Sequence, residues 1–144
     1  MSFVLVHGAG VGASCWGPLL PLLEGDTLAV DLPGRGGRRS VDPRSVTLAD
    51  CAAALVEDVE AANLDDIVLV AHSFAGVTAP LAMSALADRL RHVVFLSAVV
   101  PPDGTRVIDQ IAVVGGDTVF LDSGHMAMVT IPDRVAALLD TLAS

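Results

Sequence analysis

The chain has no lysine, no tyrosine, only two cysteines, and no apolar run of the roughly 18 residues a membrane span needs. Positive charge is scarce: 8 basic residues, all arginine, face 17 acidic ones, for a net charge of −9. That balance argues against nucleic acid or an anionic membrane as a partner. Charged residues make up 17% and hydrophobic residues 53%, with a mean hydropathy of +0.65, which excludes an intrinsically disordered chain. Cys15 and Cys51 lack metal-ligand spacing and read as reduced, buried small hydrophobes, in keeping with a cytoplasmic location. Met1 leads directly into an apolar strand, so no secretion signal is expected.

What remains is an alternation of short apolar runs and helical patterns, read as one domain over residues 1–144. Strands are expected at Phe3–Val6, Thr27–Val30, Ile67–Ala71, Val93–Leu96 and Val119–Leu121. Between the first two, Trp16, Leu19, Leu20 and Leu23 recur at helical spacing, interrupted by Pro18 and Pro21. Thr47 and Asp50 spell a capping box, Leu48, Ala52, Leu55 and Val59 share one helical face, and Asn63 marks the stop. A second helix is expected over Ala75–Leu90 despite Pro80. A last one follows Thr130 as its cap, with Pro132 at its first position. Four arginines (Arg35, Arg38, Arg39, Arg44) crowd one glycine-containing loop, which reads as a solvated surface.

Strand and helix in strict rotation predict an α/β fold: a three-layer, doubly wound, mostly parallel sheet. Strands apolar throughout agree, because parallel strands are buried on both faces. Ligands of such sheets bind outside the carboxyl ends of the strands. Those ends carry His7-Gly8-Ala9-Gly10, Asp31, His72-Ser73 and Ser123-Gly124-His125. A serine on one strand end and a histidine on another is what acyl transfer requires, since a serine hydroxyl needs a base to take its proton. Ala71 and Ala75, two before and two after Ser73, are small enough for the sharp turn that presents such a serine. A serine that merely caps the following helix is the competing reading.

Together these segments resemble the α/β-hydrolase superfamily, nearest to its branch of plant methyl esterases and hydroxynitrile lyases. Val4–Gly10 is similar to the first core strand and oxyanion turn, and Asp31–Gly34 to the next strand end. Ala71–Gly76 is similar to the nucleophile elbow, Gly124–Met128 to the catalytic-histidine loop, and Cys15-Trp16 to a pair of that branch. The resemblance implies that Ser73 is the nucleophile and His125 the general base, with the N–H groups of Ala9 and Phe74 as oxyanion hole. Phe74 also falls at a helix N-terminus, where free N–H groups and the dipole favour an anion. Gly8, Gly10, His72 and Met126 are expected to border the substrate, a small or medium carboxylic ester, without metal or cofactor. His7 and His72 are read as structural rather than as acid–base groups, and His92 as a surface residue. The lyases of the branch rely on a lysine and a threonine; this chain has no lysine and carries Gly8 at the second place, which disfavours lyase chemistry.

The resemblance also implies a helical cap and an acid-bearing strand between the fourth and fifth strands, where this chain has only Asp103–Gly116. A crossover helix there would give about five strands in the order 2-1-3-4-5, a minimal capless α/β-hydrolase. Asp103 would then be the orienting acid, with Asp117 and Asp122 as alternates, and Pro101–Gly104 also reads as a plain turn. Alternatively, residues 111–115 form the fifth strand and Asp117 ends it. An open, shallow site leads us to expect a homodimer. Two other functions compete. One is a non-catalytic binding protein on a hydrolase fold. The other is a dinucleotide site built on Gly8–Ala13 and Asp31.

Overall fold

The computed structural model describes residues 1–100 and 124–142. Four strands, β1 (Ser2–Val6), β2 (Asp26–Val30), β3 (Ile67–His72) and β4 (Leu90–Leu96), form a sheet in the order β2-β1-β3-β4. Every pairing is parallel, with Val6 level with Val30 on one side and Ala71 on the other. This is the doubly wound sheet expected, with its first four strands in the expected order. The expected fifth strand, the segment 103–116, and Asp103, Asp117 and Asp122 lie outside the described residues.

Strand residues alternate between two cores. Val4, Val6, Ile67, Leu69 and Ala71 face helices α1 (Leu48–Ala61) and α2 (Ala75–Met83). Phe3, Leu5, Val68 and Val70 face Trp16, Leu19 and helices α3 (Ala127–Thr130) and α4 (Pro132–Thr141). Strands β1 and β3 are therefore buried on both sides, which is why they read as unbroken apolar runs.

Local signals account for most element ends. Asp50 N–H donates to Thr47 Oγ1 at 3.1 Å, while Thr47 N–H donates to Asp50 Oδ2 at 2.8 Å, closing the capping box. At the other end Asn63 adopts φ 48°, Asn63 N–H bonds the Glu60 carbonyl and Leu64 N–H reaches back to Val59. That is a Schellman stop with asparagine in the left-handed position usually taken by glycine. Leu48, expected on the buried face of α1, is instead exposed: it opens the helix and is not part of the core that Ala52, Leu55 and Val59 join.

Three expectations are corrected. The second helix stops at Met83 rather than Leu90, and Ala87–Arg89 forms a separate 3₁₀ turn. Pro80 lies inside the helix and withholds the N–H that would bond the carbonyl of Gly76, which weakens it without ending it there. The Trp16–Leu23 region is not a helix but two 3₁₀ turns, Ala13–Trp16 and Leu20–Leu22, with Pro18 between them and Pro21 inside the second. Thr130 does not cap α4: it ends α3, its hydroxyl donates to the Met126 carbonyl, and Ile131 takes the cap position without a side-chain bond.

The arginine loop is likewise more than a solvated surface. Arg38 grips Asp58 of α1 with two bonds of 2.8 and 2.6 Å and also donates to the Asp31 carbonyl at 2.6 Å. A planar guanidinium matched to a carboxylate in this way fixes direction as well as distance. The loop after β2 is thereby stapled to α1.

Replacing Thr47 with alanine should remove the α1 cap and lower the unfolding free energy by about 1 kcal/mol, while serine should retain most of it. Urea denaturation of the three proteins measures this, and equal midpoints would show that the cap contributes nothing.

Candidate active site

The chain leaves β3 at His72 and enters α2 at Ala75, so Ser73 and Phe74 alone make the turn. Ser73 adopts φ 55°, a left-handed conformation that an L-residue takes only when its surroundings hold it there. Three backbone bonds do so. Ser73 N–H donates to the Leu96 carbonyl at 3.3 Å, and the Ser73 carbonyl accepts from Gly76 at 3.1 Å and Val99 at 3.0 Å. Gly76 lies directly against the Val99 backbone, with no room for a methyl group. Ala71 and Ala75 fit without difficulty, both buried.

Gly8 approaches from β1. A Cβ there would stand 2.7 Å from Ser73 Cβ and 3.2 Å from Ser73 Oγ. Only glycine permits the turn after β1 to lie over the serine this closely. Neither Ala9 N–H nor Phe74 N–H donates to another backbone group among the described residues. Gly10, at φ 79°, shapes the turn and stands in open space rather than beside the serine.

His125 brings Nε2 within 2.8 Å of Ser73 Oγ from 52 residues away. An imidazole nitrogen at that distance can take the hydroxyl proton as the oxygen attacks an electrophilic carbon. Among the described residues no carboxylate bonds the other nitrogen of His125, and Asp103, Asp117 and Asp122 lie outside them. Met126 packs at the margin of the second core.

His72 does not border the open site, contrary to expectation. It is 1% exposed, and its Nε2 bonds the backbone carbonyl of His125 at 3.0 Å. A carbonyl only accepts, so Nε2 carries the proton. The His72 ring also lies 4.8 Å from the His125 ring and meets Trp16 edge-on at 6.2 Å. His72 thus anchors the loop that carries His125. No sequence motif signals this bond, because it joins a side chain to a backbone atom across 53 positions.

His7 performs the corresponding task at the other turn. Leu32 N–H donates to its Nε2 at 3.1 Å, so the proton resides on Nδ1, which bonds the Gly8 carbonyl at 2.8 Å. The ring ties the turn after β1 to the end of β2. Asp31 shapes the same region: its two oxygens accept from Ala13 at 2.7 Å and Gly37 at 2.9 Å. Burial raises the Asp31 carboxyl, but these donors outweigh it and hold the group below its ordinary value. A carboxylate already used by the chain's own loops does not present itself to a ribose, which removes the acid that a dinucleotide site would need.

Beside the turn after β1 lies a cavity of about 350 Å³. Gly8, Ala9 and Phe74 form the side nearest the serine, Leu32, Pro33 and Leu48 the apolar walls, and Arg35 contributes a charge. The position of Arg35 here was not read from the sequence, where it was one of four arginines in a polar loop. Cys51 also reaches this cavity, and Cys15 and Cys51 are both free and half-buried. Among the described residues no three metal-ligating side chains converge, and no helix is long and apolar enough to cross a membrane.

The model of the alpha/beta hydrolase family matches residues 3–116. Methylesterase 9 of Arabidopsis thaliana is 39% identical over 103 residues, which cover 69% of this chain and 39% of that protein. Polyneuridine aldehyde esterase of Rauvolfia serpentina is 37% identical over 107 residues, 69% of this chain and 39% of that one. A crystal structure of polyneuridine aldehyde esterase superposes with a TM-score of 0.59 at 35% identity, covering 69% of this chain and 41% of that chain. An extracellular α/β-hydrolase from a Paenibacillus species gives 0.69 at 27% identity, covering 76% and 45%. The chain thus spans about 39% of the length of these curated relatives.

Burial pulls both His7 and His72 below their ordinary value of 6.5, so each is held neutral. The stability this contributes is fully present above pH 6.5 and is lost as pH falls from there through the lower folded values. The slope should be at most about 1.4 kcal/mol per pH unit for each histidine. Chemical denaturation between pH 8 and 5 should show this decline, and His72→Gln should flatten it. A pH-independent midpoint over that range would contradict the assignment.

Proposed function

The chain belongs to the alpha/beta hydrolase family, and on that footing we propose that it is a serine hydrolase of small or medium carboxylic esters. The observation that carries this reading is the 2.8 Å contact between His125 Nε2 and the hydroxyl of a serine held at φ 55° on a strand-to-helix turn. A base in contact with a hydroxyl, on a turn whose strain the surroundings maintain, is what an activated nucleophile requires. The esterase names of the relatives support an ester as substrate.

In this mechanism Ser73 Oγ forms a bond to the ester carbonyl carbon while its proton passes to His125 Nε2. The oxyanion is held by the N–H groups of Ala9 and Phe74, the latter at the N-terminus of α2. Collapse breaks the bond to the alcohol oxygen, which leaves with the proton from His125 and gives an acyl-enzyme. His125 then takes a proton from water as its oxygen bonds to the acyl carbon; the bond from that carbon to Ser73 Oγ breaks, Oγ regains the proton from His125, and the carboxylic acid leaves. Asp103 is the proposed orienting acid on the order of segments in the chain, with Asp117 and Asp122 as alternates. The reaction calls on no metal or cofactor.

A second reading, a binding protein on this fold, draws on the share of the relatives that the chain spans and on the lack of a carboxylate at His125 among the described residues. A fluorophosphonate probe separates the two, since it labels only an activated serine. Labelling of Ser73, with p-nitrophenyl butyrate turnover that drops at least about 1,000-fold in Ser73→Ala, is the expected result. A chain that neither labels nor turns over the ester would favour the binding reading.

A further inference from the structure

We propose that Arg35 selects substrates whose acyl chain ends in a carboxylate, so that the preferred esters are half-esters of dicarboxylic acids. The proposal deepens the ester-hydrolase reading and rests on it for the chemistry, but the recognition it assigns to Arg35 is separable from turnover.

The first observation is the placement of the charge. The cavity beside the turn after β1 is walled by Leu32, Pro33, Val46 and Leu48, and Arg35 is its one cationic side chain among the described residues. Its other titratable base, His7, is neutral through burial, with the nearby Arg35 charge adding to that effect. At about 350 Å³ the cavity has the size of a small-molecule pocket, in which a few polar groups fix orientation against apolar walls.

The second observation is that Arg35 has no carboxylate partner among the described residues. Its recorded bond is a long one, 3.4 Å, from Nη1 to the Gly34 carbonyl. Two of its loop neighbours, Arg38 and Arg44, differ, and Arg39, which has no such bond among the described residues, is not part of the cavity wall. Arg38 holds Asp58 with two bonds and Arg44 holds Asp42 with three. The remaining carboxylate of the region, Asp31, is taken up by Ala13 and Gly37 N–H. Among the described residues the carboxylates of this loop region are thus committed elsewhere, and Arg35 is left lining an apolar pocket. A carboxylate is the group that its planar fork fits.

The third step fixes which side of the ester enters. The alcohol must leave beside His125, which returns its proton, and His125 is not part of the cavity wall. The cavity instead abuts Gly8, Ala9 and Phe74, the side of the proposed oxyanion donors. The acyl chain therefore occupies it, and its far end meets Arg35.

The test compares p-nitrophenyl half-esters of adipic and suberic acid with p-nitrophenyl heptanoate and nonanoate. Wild-type protein should favour a charged ester over its neutral match in kcat/KM, and Arg35→Gln should lower that ratio by about tenfold or more. A ratio that Arg35→Gln leaves unchanged would overturn the proposal. Cys51 gives a readout that needs no turnover, because its thiol lines the same cavity. In Ser73→Ala protein, monomethyl adipate should slow maleimide labelling of Cys51, with Cys15 as internal reference, and Arg35→Gln should abolish that protection. Equal protection by methyl heptanoate would sink Arg35 recognition even if esters are hydrolysed. Protection without any ester turnover in the wild type would sink the hydrolase reading and leave Arg35 recognition standing.

Discussion

The site depends on one constraint, the left-handed backbone of Ser73. An L-residue at φ 55° has no intrinsic reason to remain there. It is held because β3 ends where β4 also ends, so that Leu96 receives its N–H and Val99 and Gly76 donate to its carbonyl. The register of β3 on β4, with His72 level with Leu96, is what aligns these groups. Parallel pairing places the ends of β1 and β4 on either side of Ser73, so Gly8 comes over the serine from one side while the β4 exit locks it from the other. Strain at the turn is thus maintained by the sheet, and the sheet by cores on both of its faces.

What the sequence made legible follows from the range of each interaction. The capping box of Thr47 and Asp50 and the stop at Asn63 are local, involving residues a turn apart, and the structure forms them as read. The first four strands were legible because burial on both faces removes polar residues from them. Ser73 and His125 were marked by the residues around them, and the structure brings the two together. Thr130 was misread for a reason equally local: a threonine shortly before a proline looks like a cap, but here its residues complete the preceding turn. What stayed hidden is long-range. The bonds from His72 to the His125 carbonyl, from His7 to Leu32 and from Arg38 to Asp58 each join segments whose meeting is decided by the packed fold.

Three histidines serve the turns around Ser73, and burial divides their work. His7 and His72 are each 1% exposed, whereas His125 is exposed. A buried imidazole is driven to the neutral form, in which one nitrogen donates and the other accepts. The two buried rings adopt opposite tautomers, fixed by their partners: Nδ1–H toward the Gly8 carbonyl in His7, and Nε2–H toward the His125 carbonyl in His72. Each fastens a turn that flanks Ser73, His7 the one bearing Gly8 and Ala9, His72 the one bearing His125. Protonating either ring would add a proton to a nitrogen with no acceptor to receive it: Nε2 of His7 already faces the Leu32 N–H, and Nδ1 of His72 is buried without a described partner. The arrangement thus assigns the structural tasks to the two histidines that burial holds neutral, and leaves the exposed one in contact with the serine.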